Sequence, residues 1–143
     1  MTSSVDLPHL PYQDLPGVFD GSVPAGVYRC PGVGPDALMH AEAAGWIGAV
    51  ADLTGVTDKA GFMEAFAVGL ELPGYFGRNW DALSDCLTDL SWWGETEGYL
   101  LLTAGWAGFE QAAPAEADSA AGVLSAAAGY WAVRETPLTV LLG

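Results

Sequence analysis

Asp81, Asp85 and Asp89 stand four residues apart in the stretch "DALSDCLTD". On an α-helix that spacing stacks three carboxylates along one face, about one turn apart. Carboxylates placed in this way can do several kinds of chemistry. A matched pair can act as general acid and base, as in glycoside hydrolysis, but that requires a substrate groove, and nothing else in the sequence points to one. They can hold Ca²⁺ or Mg²⁺, but such sites draw ligands from loops with backbone carbonyls, and no EF-hand spacing is present. Cys86 lies among them, yet a reactive thiolate needs a basic partner, and His9 and His40 are distant in sequence. The remaining use is electrostatic. The acidic face can enter a basic cleft on another protein and occupy positions meant for phosphates.

Such a row has a cost. Like charges at this spacing repel and weaken a helix. Only Asp81, in the first turn, gains from the helix dipole, and Asp89, in the last turn, is disfavoured by it. No base follows Arg78 until Arg134, while eight acids lie between them. A local rule broken without local compensation is where function is to be sought. Leu83, Cys86, Leu87 and Leu90 fall on the other side of the same helix and are expected to be buried.

Other elements must position this face. The loop "LPGYFGRN" precedes it. Pro73 restricts Leu72 and ends the preceding helix. Gly74 and Gly77 permit tight or positive-φ turns. Asn79 is placed to cap a helix over about 79–90. Of Tyr75 and Phe76, one is expected to pack inward and the other outward. Phe62, Phe66 and Leu70 recur every four residues, which predicts an amphipathic helix over 57–72 with Thr57 or Asp58 as cap. Strands are predicted at 26–30, 46–53, 99–104 and 137–143, and further helices at 35–45, 105–112 and 114–135, the last weakened by Gly122 and Gly129. Alternation of strands and helices predicts an α/β fold with a mainly parallel sheet and helices packed on it. The near-continuous apolar strands agree, because both faces of such a sheet are covered. Residues 1–25, rich in Pro, Gly and Asp, read as an extended arm lying against the body through Leu7, Leu10, Tyr12, Leu15, Val18 and Phe19.

With 143 residues, a single domain is expected. Eighteen acids against four bases give a formal net charge of -14. That field repels phosphates, so direct nucleic-acid binding is not expected, and it suits a basic protein partner. The N-terminus lacks a basic region followed by an apolar core, and no apolar run is long enough to span a bilayer. A cytoplasmic protein without membrane contact is therefore expected. Cys30 and Cys86 have no CxxC spacing and read as small buried side chains.

The stretch "LPGYFGRNWDALSDCLTDL", 72–90, closely resembles the signature of the barstar family, intracellular inhibitors of a secreted bacterial ribonuclease. The match runs through Leu72, Pro73, Tyr75, Phe76, Gly77, Asn79, Asp81, Ala82, Leu83, Asp85, Cys86, Leu87 and Thr88. The surrounding strands and helices agree, and the resemblance covers about 46–143. It implies a barstar-like core there, with 26–45 as an added strand and helix, all within one domain. It further implies an inhibitor or immunity protein, not an enzyme and without a cofactor, that plugs the active site of a basic ribonuclease or related toxin. By position, Tyr75 is an aromatic contact, Asp81 and Asp85 meet the cationic phosphate-binding groups, with Asp85 dominant, and Thr88 is a further contact at the helix end. Ser84 stands where the best-known member carries a large tryptophan, and Asp89 where it carries glycine. The last helix has no clear counterpart of a further acidic contact. These departures place Ser84 and Asp89 among the candidate partner-binding residues and point to a different target; Trp92 and Trp93 are expected to pack into the core or loop, as large aromatics mostly do, with replacement aromatic surface as the alternative. The alternative is a barstar-like interaction or regulatory module without a nuclease target.

Overall fold

The structure, a computed structural model, is described for residues 7–143. Four strands, β1 (Val27–Arg29), β2 (Ile47–Asp52), β3 (Tyr99–Ala104) and β4 (Leu138–Leu142), form one sheet in the order β1-β4-β3-β2. All three pairings are parallel, with Val27 opposite Val140, Tyr99 opposite Leu138 and Ile47 opposite Tyr99. Six helices pack on it: α1 (Leu15–Asp20), α2 (Asp36–Ala43), α3 (Lys59–Gly69), α4 (Trp80–Leu87), α5 (Trp106–Ala112) and α6 (Pro114–Ala132). This is the α/β architecture expected from the alternation of elements.

The apolar strands are explained by burial on both faces. Side chains alternate along a strand. Leu101, Leu138, Val140 and Leu142 point into a core made by α3 to α6, with Phe62, Phe66, Leu83, Leu87, Phe109 and Leu124. Leu100, Leu102 and Leu141 point the other way, onto Leu15, Val18, Ala37, Ala41 and Trp46 from the N-terminal unit. Residues from Leu10 to Trp46 therefore cover the second face of the sheet. The segment around Pro8–Leu10 covers its β1 edge: Leu10 N–H donates to the Arg29 carbonyl (2.9 Å), and Arg29 N–H donates to Pro8 O (2.8 Å).

The extended-arm reading of 1–25 needs correcting over part of its length. A 3₁₀ turn (Tyr12–Asp14) leads straight into α1, and residues 1–6 lie outside the described residues. Pro16 falls in the first turn, where its missing N–H is harmless. Leu15 and Val18 share a face and are buried, and Gly21 ends the helix in the left-handed region at φ 88°.

A two-pronged ion pair ties β1 to α5. Arg29 Nη1 and Nη2 donate to the Glu110 carboxylate oxygens at 2.9 and 2.8 Å. The hydrogen bonds from Arg29 hold the Glu110 carboxyl below its ordinary pKa, more than offsetting its partial burial. A carboxyl depressed on folding stabilises above its unfolded pKa of 4.5, and the gain is lost as pH falls through the lower folded value. Glu110→Gln is accordingly expected to cost about 1.5–3 kcal/mol at pH 7. The gap between the two proteins should narrow as pH falls below 4.5 and vanish only below the lower folded value, read as urea midpoints across that range.

β2 is the other edge. Ile47 and Leu53 N–H groups donate to β3-side carbonyls, Gly98 O and Ala104 O. In a parallel ladder alternate residues face the neighbour, so Val50 turns its carbonyl away from β3. There α3 closes in: a Cβ on Gly69 would stand 2.1 Å from Val50 O. Only glycine permits that approach.

Candidate functional site

Helix α4 is built as the loop sequence requires. Asn79 is its N-cap, with Oδ1 accepting the Ala82 N–H at 2.7 Å. Leu83, Cys86 and Leu87 are buried against the core. Trp80, the first helical residue, packs on Phe62 at 5.2 Å between ring centroids. Replacing Asn79 by Ala should cost about 1 kcal/mol of stability by freeing a helix N–H. Thermal or urea unfolding checks this, and an unchanged midpoint would deny the cap its role.

The C-terminal end is also held. Thr88 Oγ1 donates to the Ser84 carbonyl (2.8 Å). Trp131, on α6, donates its indole N–H to the Leu87 carbonyl (2.7 Å). These bonds satisfy carbonyls that a helix otherwise leaves open. The helix ends at Leu87, short of the expected Leu90. Leu90 takes a left-handed conformation, φ 54°, and Asp89 sits in the turn rather than on the helix. The positive φ in the preceding loop likewise falls on Arg78, at 55°, and on neither Gly74 nor Gly77.

Each candidate contact residue can now be placed. Tyr75 is 72% exposed, while Phe76 is buried, so the aromatic pair does divide outward and inward. Asp81 and Asp85 are exposed on one face of α4, and among the described residues neither carboxylate forms a hydrogen bond or an ion pair. Ser84 and Thr88 are half-buried beside them. Asp89 is exposed and accepts a hydrogen bond from Ser91 Oγ at 3.2 Å. Partial burial, then the Asp89 charge, push the Tyr75 phenol above its ordinary pKa, so it stays protonated. Asp89 thus turns toward Tyr75, and the loop and the turn approach each other past α4.

The nearby cations are engaged elsewhere. Arg78 pairs with Glu64 on α3, and the Lys59 ammonium lies 5.9 Å from the Trp80 ring centroid. The field of α4 is left uncompensated. Cys86 is buried, and burial, then the Asp89 and Asp85 charges, push its thiol up, away from the reactive thiolate. Among the described residues no three His, Cys, Asp or Glu side chains are grouped to hold a metal ion. No described helix is long and apolar enough to cross a membrane.

One feature of the site had no signal in the sequence, and one expectation about its tryptophans is met. Trp131 supports α4 from 44 positions away, and spacing along the chain cannot reveal that. Trp92 and Trp93 are half-buried rather than free aromatic surface. Trp92 donates to the Leu70 carbonyl (3.4 Å), and Trp93 lies 5.9 Å from the Tyr99 ring.

In comparison with known families, the model described as Barstar (barnase inhibitor) matches residues 48–143. That span holds β2 to β4 and α3 to α6 and leaves β1, α1 and α2 outside it. No curated protein matches the chain.

Proposed function

Because the chain belongs to the barstar family, whose members are ribonuclease inhibitors rather than enzymes, we propose that it blocks the active site of a basic ribonuclease or related toxin nuclease. The observation that carries this is the pair Asp81 and Asp85: two carboxylates on one exposed face of a helix secured at both ends, with no internal partner. A nuclease cleft is lined with cations that meet phosphates. Two fixed carboxylates supply negative charge of the same kind without a bond to cleave, so the complex forms without turnover. Tyr75 adds an aromatic surface beside them. The half-buried Ser84 offers little area, and Asp89 adds a charge next to Tyr75. Both fit a target cleft of a different shape from that of the best-known member.

Preorganisation lowers the cost of binding, because ordering a loop and its side chains on association consumes affinity. The capped ends of α4 and the Arg78–Glu64 pair serve that end. The net charge of -14 steers a basic partner toward this protein. We place the protein in the cytoplasm, as an immunity protein that guards the cell producing the nuclease.

Pull-down from the host with the wild type and with Asp81→Ala/Asp85→Ala tests this. The wild type should retain a basic nuclease and suppress its RNA cleavage, and the double variant should do neither. A captured partner without nuclease activity would favour a regulatory module instead. Capture that survives the double change would remove α4 from the interface.

A further inference from the structure

The loop and helix that face the partner form one continuous segment, from Leu70 at the end of α3 to Leu87 at the end of α4. Two tryptophans from outside it hold its ends. Trp92 donates its indole N–H to the Leu70 carbonyl at 3.4 Å, and Trp131 donates to the Leu87 carbonyl at 2.7 Å. Their rings belong to one aromatic row. Trp92 stands 6.0 Å from Trp93, Trp93 5.9 Å from Tyr99, and Tyr99 5.1 Å from Trp131. Tyr99 is buried at the start of β3, so the row is anchored on the sheet.

The bond at Leu87 is the shorter of the two, and it lies where the acidic helix is weakest. α4 has eight residues, little more than two turns, so Asp81 falls in its first turn and Asp85 in its last. A helix this short depends on tertiary anchors. Asn79 anchors the first turn. The last turn carries a carboxylate at the end where the helix dipole disfavours one. The Asp89 and Leu90 N–H groups both turn back to the Cys86 carbonyl (3.1 Å each), and the Leu87 carbonyl accepts from Trp131.

A common remedy for such an end is a lysine or arginine in the last turn, which bonds the open carbonyls and offsets the dipole. α4 has no base there. A cation at that place would also cancel part of the field that Asp85 presents. The indole is a donor without charge. It closes the carbonyl and leaves the acidic face at full strength. Trp131 is itself held in place, edge-on to Tyr130 at 5.3 Å, with Arg134 stacked on Tyr130 at 3.5 Å.

We propose that Trp131 is a positioning residue for the partner-binding face: through the Leu87 carbonyl it holds the last turn of α4, and with it the direction of Asp85, without adding a cation to that face. The consequence for binding rests on the inhibitor reading; the hold on α4 does not.

The test compares Trp131→Phe, which keeps a ring in the row and removes the donor, with Glu110→Gln, which weakens the fold away from α4. Amide hydrogen exchange is followed by NMR on the free full chain. In Trp131→Phe the Thr88, Asp89 and Leu90 amides should exchange about tenfold faster, the upper worth of one hydrogen bond, while the Ala82 amide at the Asn79 cap stays within about threefold. In Glu110→Gln none of these amides should quicken selectively. Dissociation from the nuclease retained in the pull-down should be about tenfold faster in Trp131→Phe, with the association rate little changed, and unaltered in Glu110→Gln. Rates at residues 88–90 that stay at the wild-type level, or that rise only together with Ala82, would overturn the hold. Equal weakening of binding by the two variants would overturn the positioning role. The wild type supplies a check that needs no variant: the Trp131 indole N–H should be protected, and free exchange there would overturn the bond itself. A pull-down that retains no nuclease removes the inhibitor reading and leaves the exchange rates to decide whether Trp131 holds α4.

Discussion

Asp85→Ala is expected to weaken binding to the captured nuclease by roughly 30- to 5,000-fold, with no loss of fold stability. Truncating one partner of a desolvated charge pair costs about 2–5 kcal/mol or more, a range for which the barnase–barstar pair is itself a reference case. Much of that cost is the partner's cation left buried without a counter-charge. Asp85 is exposed and supports nothing within its own chain. Its removal also relieves repulsion with Asp81, one turn away. The melting temperature should therefore stay level or rise slightly while the dissociation constant climbs. Calorimetry on the complex and thermal unfolding of the free protein separate the two. A dissociation constant within threefold of wild type would show that Asp85 lies outside the interface. Raising the salt should slow association more than it speeds dissociation, because the steering field is screened over about 8 Å at physiological ionic strength.

Phe62→Ala should do the reverse and damage the fold first. Phe62 is fully buried, stacked on Phe66 (4.5 Å) and Phe109 (5.1 Å), and it seats Trp80 at the start of α4. Deleting a buried phenyl ring loses its transfer energy and leaves a cavity that neighbours fill only in part, at about 3–5 kcal/mol. Urea unfolding should show the loss as a lower midpoint with the slope unchanged. A cost below about 1.5 kcal/mol would mean that the α3–α4–α5 aromatic cluster is loosely packed. Binding should suffer as well, because Trp80 loses the surface that fixes the direction of Asp81.

The strands and long helices were legible because their signals are local. The apolar run at 99–104 fixes β3 to the residue, and the four-residue spacing of Phe62, Phe66 and Leu70 marks α3. Asn79 announces its own helix. α1 was hidden because six residues containing Pro and Gly resemble a loop, and their helicity depends on burying Leu15 and Val18 under the sheet. The end of α4 was misplaced because Leu90 is apolar and in register. The structure instead buries Leu90 from a left-handed turn, which moves Asp89 off the helix. The pairing of Arg29 with Glu110, 81 positions apart, and of Trp131 with Leu87 belongs to tertiary packing, which no local pattern encodes. For the candidate site, the residue types and their spacing were readable; what supports them from α6 was not.

The contact of Gly69 with Val50 reaches beyond the helix that makes it. A parallel strand with an open edge offers unpaired backbone groups to any other chain that arrives in extended form, and edges of this kind seed aggregation. The opposite edge, at β1, is taken by the segment around Pro8–Leu10. At β2 that protection comes from the absence of a side chain. Gly69 lets α3 lie against Val50 O, so that this outward carbonyl is covered by the helix rather than offered to a second strand. If the protein acts as proposed it must persist unbound until its target appears, and this one glycine bears on whether it keeps to itself until then.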